Sequence, residues 1–255
     1  MMGQDTSIPI LTYHSLDSSG SVISTSPEKF RRQMKNLSDA SFEVVKLRDL
    51  AMRIRENREL PSKSVAITFD DGFQSVCDVA LPVLKDYGYP ATVFLVTSFC
   101  GKNNRWYGQP DSIPSFDLLT WDQISQMRDQ QIEFGVHTAT HPDLTKLPES
   151  QISEEIVGAR RKLQDQTGEE KLAFAYPYGK ESASARDLVE SNFYAACSTQ
   201  MDFATSQSDV HFLPRIDMYY FSNNDHFSTI GTPFFDRFVG FRKTLRGFKR
   251  MITGG

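Results

Sequence analysis

Asp70 and Asp71 stand side by side at the end of the apolar and β-branched run Val65-Ala66-Ile67-Thr68-Phe69, with Gly72 placed to turn the chain behind them. Burying one ionised carboxylate without a partner costs roughly several kcal/mol, and a second beside it adds like-charge repulsion, so something cationic belongs there. The competing reading is that the pair caps a helix from Phe73 to Tyr87. A second short strand-like stretch, Ile132-Glu133-Phe134-Gly135-Val136, leads into His137-Thr138-Ala139-Thr140-His141. Imidazoles four residues apart share one side of a helical turn or converge across a tight loop, so both can reach one ion. Neutral imidazole and carboxylate oxygen suit zinc, and an Asp-His-His set leaves a coordination position open for water, the mark of a catalytic site. An isolated pair of this spacing is more often surface or core histidine; its arrival at a second strand end favours the metal.

The elements that must position these groups alternate. Strand-like runs at Ile8–Tyr13, Phe42–Leu47, Val65–Phe69, Ala91–Val96, Ile132–Val136, Lys171–Tyr176 and Phe193–Cys197 are separated by helical stretches, the first opened by Ser26-Pro27-Glu28, and Val210–Ile216 is a last apolar segment. Six or seven β-α units predict an α/β fold with a parallel barrel or open parallel sheet, whose ligands gather at the C-terminal strand ends. His14, Asp70, Asp71, His137 and Tyr178 all fall there. The long connection Gly101–Leu119 holds Trp106 and Tyr107, which either stack on a sugar ring or pin the loop to the barrel.

A length of 255 residues fits one large domain, and a net charge of -4 argues against nucleic acid as a partner. Cys77, Cys100 and Cys197 lack metal-ligand or disulfide-scaffold spacing and read as reduced core residues. Met1–Asp5 has neither a basic segment nor an apolar run, so the expected location is cytoplasmic. Residues 1–228 read as the barrel and 229–255 as a tail. Phe234, Phe238, Phe241, Leu245, Phe248 and Ile252 recur there at helical spacing among six basic residues and one acid, near +5 against about -9 for the rest. Such a helix lies on an anionic membrane, at the inner face, or packs on the barrel; Gly240 and Gly247 weaken it. Oligomeric state is not set by the sequence.

Together, Thr68-Phe69-Asp70-Asp71-Gly72, His137 to His141 and the turn Tyr176-Pro177-Tyr178-Gly179 resemble the polysaccharide deacetylase (NodB-homology, carbohydrate esterase four) family, in its motif order and from about His14 to Ile216. The permuted poly-N-acetylglucosamine deacetylase-like subgroup is the nearest in pattern. The resemblance implies an irregular (β/α) barrel of about seven parallel strands and metal-dependent hydrolysis of acetyl groups on sugars. It implies that Asp71, His137 and His141 hold a divalent metal, zinc before cobalt, nickel or manganese, that Asp70 is the general base, and that the backbone at Tyr178, after Pro177, meets the oxyanion. The acid is His14 by likeness to the permuted subgroup, ahead of His211 and His226. Many relatives carry an arginine before the proline motif; here that stretch reads Ala175-Tyr176-Pro177, and Arg215 is expected to supply the charge. The expected substrate is an N-acetylated glycan or lipid-linked saccharide. A non-polymeric amide or formamide, or carbohydrate binding without turnover, are the alternatives.

Overall fold

This computed structural model describes residues 6–222 and 225–253, the side chains of 248–253 excepted. Met1–Asp5, on which the expected location rested, and the side chains of Phe248 and Ile252 lie outside the described residues. The strands are β1 (Ile10–Tyr13), β2 (Glu43–Val44), β3 (Ser64–Phe69), β4 (Ala91–Leu95), β5 (Ile132–Val136), β6 (Ala173–Ala175), β7 (Ala195–Cys197) and β8 (Ile216–Asp217). All pair in parallel in the order β7-β6-β5-β4-β3-β1-β8, with β2 added beside β3. Every residue of β1, β3 and β4 is buried, as unbroken apolar runs require when helices cover one face of a curled sheet and its own interior fills the other. This is the expected irregular (β/α) barrel.

The two sheet edges are joined by one short stretch. Leu213 bridges to Cys197 of β7, while Ile216 and Asp217 pair with Leu11 and Thr12 of β1. Arg215 sits between these attachments. Helices α1 (Pro27–Asp39), α2 (Leu47–Arg55), α3 (Leu81–Tyr87), α4 (Trp121–Arg128), α5 (Glu149–Ser153), α6 (Ala159–Thr167), α7 (Ala183–Asn192) and α8 (Pro233–Thr253) complete the units. In α1 the Ser26 side chain accepts from the Lys29 amide and Pro27 opens the helix, whose Phe30, Met34 and Leu37 reach the core at three- and four-residue spacing. A π turn, Glu154–Gly158, links α5 to α6 without a break.

Some boundaries differ from expectation. Phe42–Leu47 yields only two strand residues because Leu47 already begins α2 and is buried through it. The helix after Asp71 starts late, as a π turn at Val76 running into α3. The 101–119 connection is ordered by buried Asn104, which accepts from the Phe116 amide (2.8 Å) and donates to the Pro114 carbonyl (3.1 Å). Leu119 then donates to the Gly72 carbonyl at 2.8 Å, tying the loop to the turn behind Asp71. No helix among the described residues is long and apolar enough to cross a membrane.

Candidate metal centre

β3 delivers Asp70 and Asp71 to the mouth of the barrel, and β5 delivers His137, from which a tight loop carries the chain to His141. The loop closes on itself: Thr138 Oγ1 donates to the His137 carbonyl (2.6 Å) and accepts from the His141 amide (2.9 Å). Asp71, Thr138, His141 and Tyr178 all have left-handed backbone, at φ 69°, 65°, 63° and 60°. That conformation costs a non-glycine residue about 1–2 kcal/mol, and four such residues at one mouth mark a site whose geometry is held by its surroundings. Asp71 therefore does not cap a helix, since a cap residue is extended and the helical turns begin at Val76.

The Asp71 Oδ1 atom lies 3.6 Å from His137 Nε2 and 3.4 Å from His141 Nε2. All three residues are buried, and their ligand atoms lie within 4.8 Å of one another. Two ligands each about 2.0–2.1 Å from a common ion at the tetrahedral angle sit about 3.3–3.4 Å apart, which the Asp71–His141 spacing matches and the Asp71–His137 spacing approaches. Oδ1 of Asp71 is buried with no hydrogen-bond partner among the described residues, an orphan that a cation satisfies. His137 donates from Nδ1 to the Ala175 carbonyl at 2.7 Å, leaving Nε2 as the lone-pair nitrogen. Burial holds the His141 imidazole well below its ordinary value, with His137 adding to the fall, which favours its neutral form. Burial pushes the Asp71 carboxyl up, opposed by His14 and His137. The residues thus fit a divalent ion in charge, donor type and spacing.

Asp70 faces another partner. Arg215 grips it through two parallel bonds, Nη1 to Oδ1 and Nη2 to Oδ2, both 2.7 Å. The guanidinium is 2% exposed, donates from Nε to the Ser198 carbonyl (2.8 Å), and lies over the Phe94 ring. Burial alone raises the Asp70 carboxyl; Arg215, with His137 and His14, overcomes that and holds it far below the usual carboxylate range. His14 stands at the end of β1 with Nε2 4.0 Å from Asp70 Oδ2 and its side chain 27% exposed. His211 is elsewhere, its Nε2 3.1 Å from the Phe193 carbonyl that precedes β7. His226 packs on Phe234 and Phe238 of α8.

Pro177 is buried at the start of the turn that sets Tyr178, whose ring lies 4.9 Å from His141. Trp106 is buried with its ring 4.6 Å from the same imidazole, so it pins the loop, while Tyr107 beside it is 100% exposed. One contributor was not legible in the sequence. Glu155, in the π turn, accepts from the amides of Ala139 (3.0 Å) and Thr140 (2.8 Å) and from the Thr140 hydroxyl (2.6 Å). It looks like any surface acid of an amphipathic helix, and only the fold brings it to the histidine loop.

Comparison with known proteins extends this picture. The polysaccharide deacetylase family model matches residues 57–196. The poly-β-1,6-N-acetyl-D-glucosamine N-deacetylase of Staphylococcus epidermidis is 28% identical over 221 residues, 81% of this chain and 71% of its own. The Staphylococcus aureus protein of the same name is 24% identical over 203 residues, 76% of this chain and 67% of its own. Two solved structures share the fold at 24% identity and a TM-score of 0.73: IcaB from Ammonifex degensii, over 85% of this chain and 95% of its own, and the Streptococcus pyogenes deacetylase PplD in complex with acetate, over 84% and 93%. His14 and Arg215 lie outside the segment matched by the family model, which spans more than half the chain and holds Asp70, Asp71, His137, His141 and Tyr178; the protein belongs to the polysaccharide deacetylase family.

Proposed function

We propose that this protein removes N-acetyl groups from an amino-sugar glycan or lipid-linked saccharide, with Asp71, His137 and His141 holding a divalent ion, zinc by preference. The observation that carries this is the orphaned Asp71 oxygen flanked by two imidazole Nε2 atoms at 3.4 and 3.6 Å. When bound, such an ion polarises the acetyl carbonyl and acidifies a water. Asp70 is the proton acceptor for the attacking water: Arg215 keeps it ionised, and each of its oxygens retains a lone pair beyond the guanidinium bond. The water oxygen bonds to the acetyl carbon, the carbon–nitrogen bond breaks, and His14 delivers the proton that lets the amine depart. The Tyr178 backbone N–H, aimed by the left-handed turn after Pro177, donates to the oxyanion. Acetate release from N-acetylglucosamine oligomers, with and without chelator, tests the reading. Asp70→Asn is expected to keep metal and lose turnover; retained turnover shows the base to be another group.

The tail, 229–255, supports a second part of the reading, peripheral contact with the anionic inner face of a membrane. Phe235 and Val239 of α8 are buried in the main core and Phe238 packs on Phe221, so one face is already used. Phe234, Phe241 and Leu245 are exposed, and at about 100° per residue they fall within about 40° of one another. This second apolar stripe has Arg237 at its flank, in a tail that is basic where the rest of the chain is acidic. Phe241→Ser with Leu245→Ser leaves the packed face intact. Loss of co-sedimentation with phosphatidylglycerol vesicles is expected; unchanged binding, or none by the parent, ends this part.

A further inference from the structure

The two candidate histidine ligands are held by different means. His137 sits at the end of a strand, and its ring is oriented by the Ala175 carbonyl. His141 has no such bond: its Nδ1 is buried without a hydrogen-bond partner among the described residues. Its ring is held by contact with Trp106 and Tyr178, and its backbone, like that of Thr138, is left-handed. Strained backbone persists only where neighbours over-determine it. Two neighbours do so here: the Thr97 and Ser98 amides donate to the Thr138 and Ala139 carbonyls, and the Glu155 carboxylate takes the amides at the apex of the loop, Ala139 and Thr140, and the Thr140 hydroxyl.

Glu155 reaches the loop from a π turn, a widened turn that recurs at functional sites. The flanking Ile152, Ile156, Ala159 and Leu163 keep the helix seated on the core. The carboxylate therefore stands on a rigid element and holds the amide side of a loop whose Thr138 and Ala139 carbonyls accept from the Thr97 and Ser98 amides (3.1 and 2.9 Å). It makes no ion pair within 4 Å among the described residues, and its side-chain hydrogen bonds among them go to the histidine loop.

Resting on the metal-site reading above, we infer that Glu155 is a positioning residue: it braces the 138–141 loop so that His141 is already in place before an ion arrives. Without the brace the loop relaxes toward unstrained backbone, and the ion must order it on binding. Supports of this outer kind are worth 10- to 100-fold in metal affinity, roughly, at other sites. Glutamine can replace the bonds, its carbonyl accepting from the two amides and its amino group donating to the Thr140 oxygen, so the proposal makes opposite predictions for the two substitutions.

The test measures zinc affinity of the full chain by competition with a chromophoric chelator, and the gain in melting temperature that zinc confers. Glu155→Ala is expected to weaken zinc by at least about 10-fold and to shrink the zinc-dependent gain, while Glu155→Gln stays within about 3-fold of the parent. The zinc-dependent gain separates the brace from a general structural role, which shifts the metal-free melting temperature and leaves the gain unchanged. Glu155→Ala with parent-like affinity, or Glu155→Gln as weak as Glu155→Ala, overturns the brace. His141→Ala is the control: if it binds zinc as the parent does, the metal-site reading itself falls, and a normal control with an indifferent Glu155→Ala leaves that reading standing and removes only the brace.

Discussion

Arg215→Met is the substitution that tests the site most directly. It keeps the length and volume of the side chain and removes four donor contacts: two to Asp70 at 2.7 Å, one to the Ser198 carbonyl at 2.8 Å and one to Thr68 Oγ1 at 3.3 Å. Asp70 is left ionised and buried with no bonded cation. Removing one partner of a buried pair costs about 3–5 kcal/mol, a large part of the 5–15 kcal/mol that about bounds the stability of a folded chain. The pH dependence has a definite sign. In the parent, the Asp70 carboxyl lies below its unfolded value, so its pairing stabilises above about pH 4 and is lost as pH falls through the folded value. In the variant, burial is opposed by His137 and His14 without the guanidinium, and the carboxyl is expected to rise above its unfolded value. The cost is then full at neutral pH and shrinks as acid protonates Asp70. Urea unfolding of both proteins in chelator, from pH 7.5 down to pH 5, reads the difference. A second variant, Asp70→Asn with Arg215→Met, removes the stranded charge and is expected to recover more than half the loss at pH 7.5. A loss under about 1 kcal/mol, a difference flat with pH, or a double variant no better than the single, refutes the reasoning.

Other perturbations separate neighbouring residues. His14→Ala is expected to lower kcat on N-acetylglucosamine oligomers by about 100-fold or more with an unchanged melting temperature, whereas His211→Ala, whose imidazole bonds to the Phe193 carbonyl away from the mouth, keeps kcat; equal effects contradict the assignment. Trp106→Ala is expected to cost about 3 kcal/mol and open the 101–119 loop to limited proteolysis, while fully exposed Tyr107→Ala changes stability by less than about 0.5 kcal/mol. Gly135→Ala places a Cβ 2.6 Å from the Phe94 ring and 2.8 Å from the Ala173 carbonyl, backbone that cannot yield, and is expected to destabilise by about 1–3 kcal/mol or more in thermal melts.

What the sequence discloses follows from where each signal resides. β1, β3 and β4 are legible because strands buried on both faces need largely apolar runs, and the chemistry is legible because parallel strands end at one rim. Three things are hidden for physical reasons. The stretch 42–47 is apolar in either conformation, and Leu47 is buried through α2 rather than through a strand. In α8 the adjacent Phe234 and Phe235 present apolar surface on two faces, so periodicity cannot choose the one that packs; the core takes Phe235 and Val239 with Phe238 at its margin, while Phe234, Phe241 and Leu245 of the more obvious stripe stay exposed. Glu155 acts across a contact to Ala139 and Thr140 that depends on a π turn, which no local pattern marks.

Adjacent carboxylates at the end of a core strand pose an electrostatic problem, and the fold resolves it by separating their partners. Asp70 follows the strand and meets Arg215, carried by the stretch that joins the two sheet edges. Asp71 turns left-handed one residue later and presents Oδ1 to the histidines instead. One acid is therefore neutralised by a built-in cation, and the other faces the candidate metal centre. Were both to share Arg215, the histidine side would lack the anionic donor that makes a two-imidazole pair selective for a divalent ion. Were neither to have it, both would tend to protonate, and the proposed proton acceptor and the proposed ligand would be lost together. The left-handed turn at Asp71, made possible by Gly72 at φ 76° behind it, is thus the step at which one sequence motif becomes two chemically distinct sites.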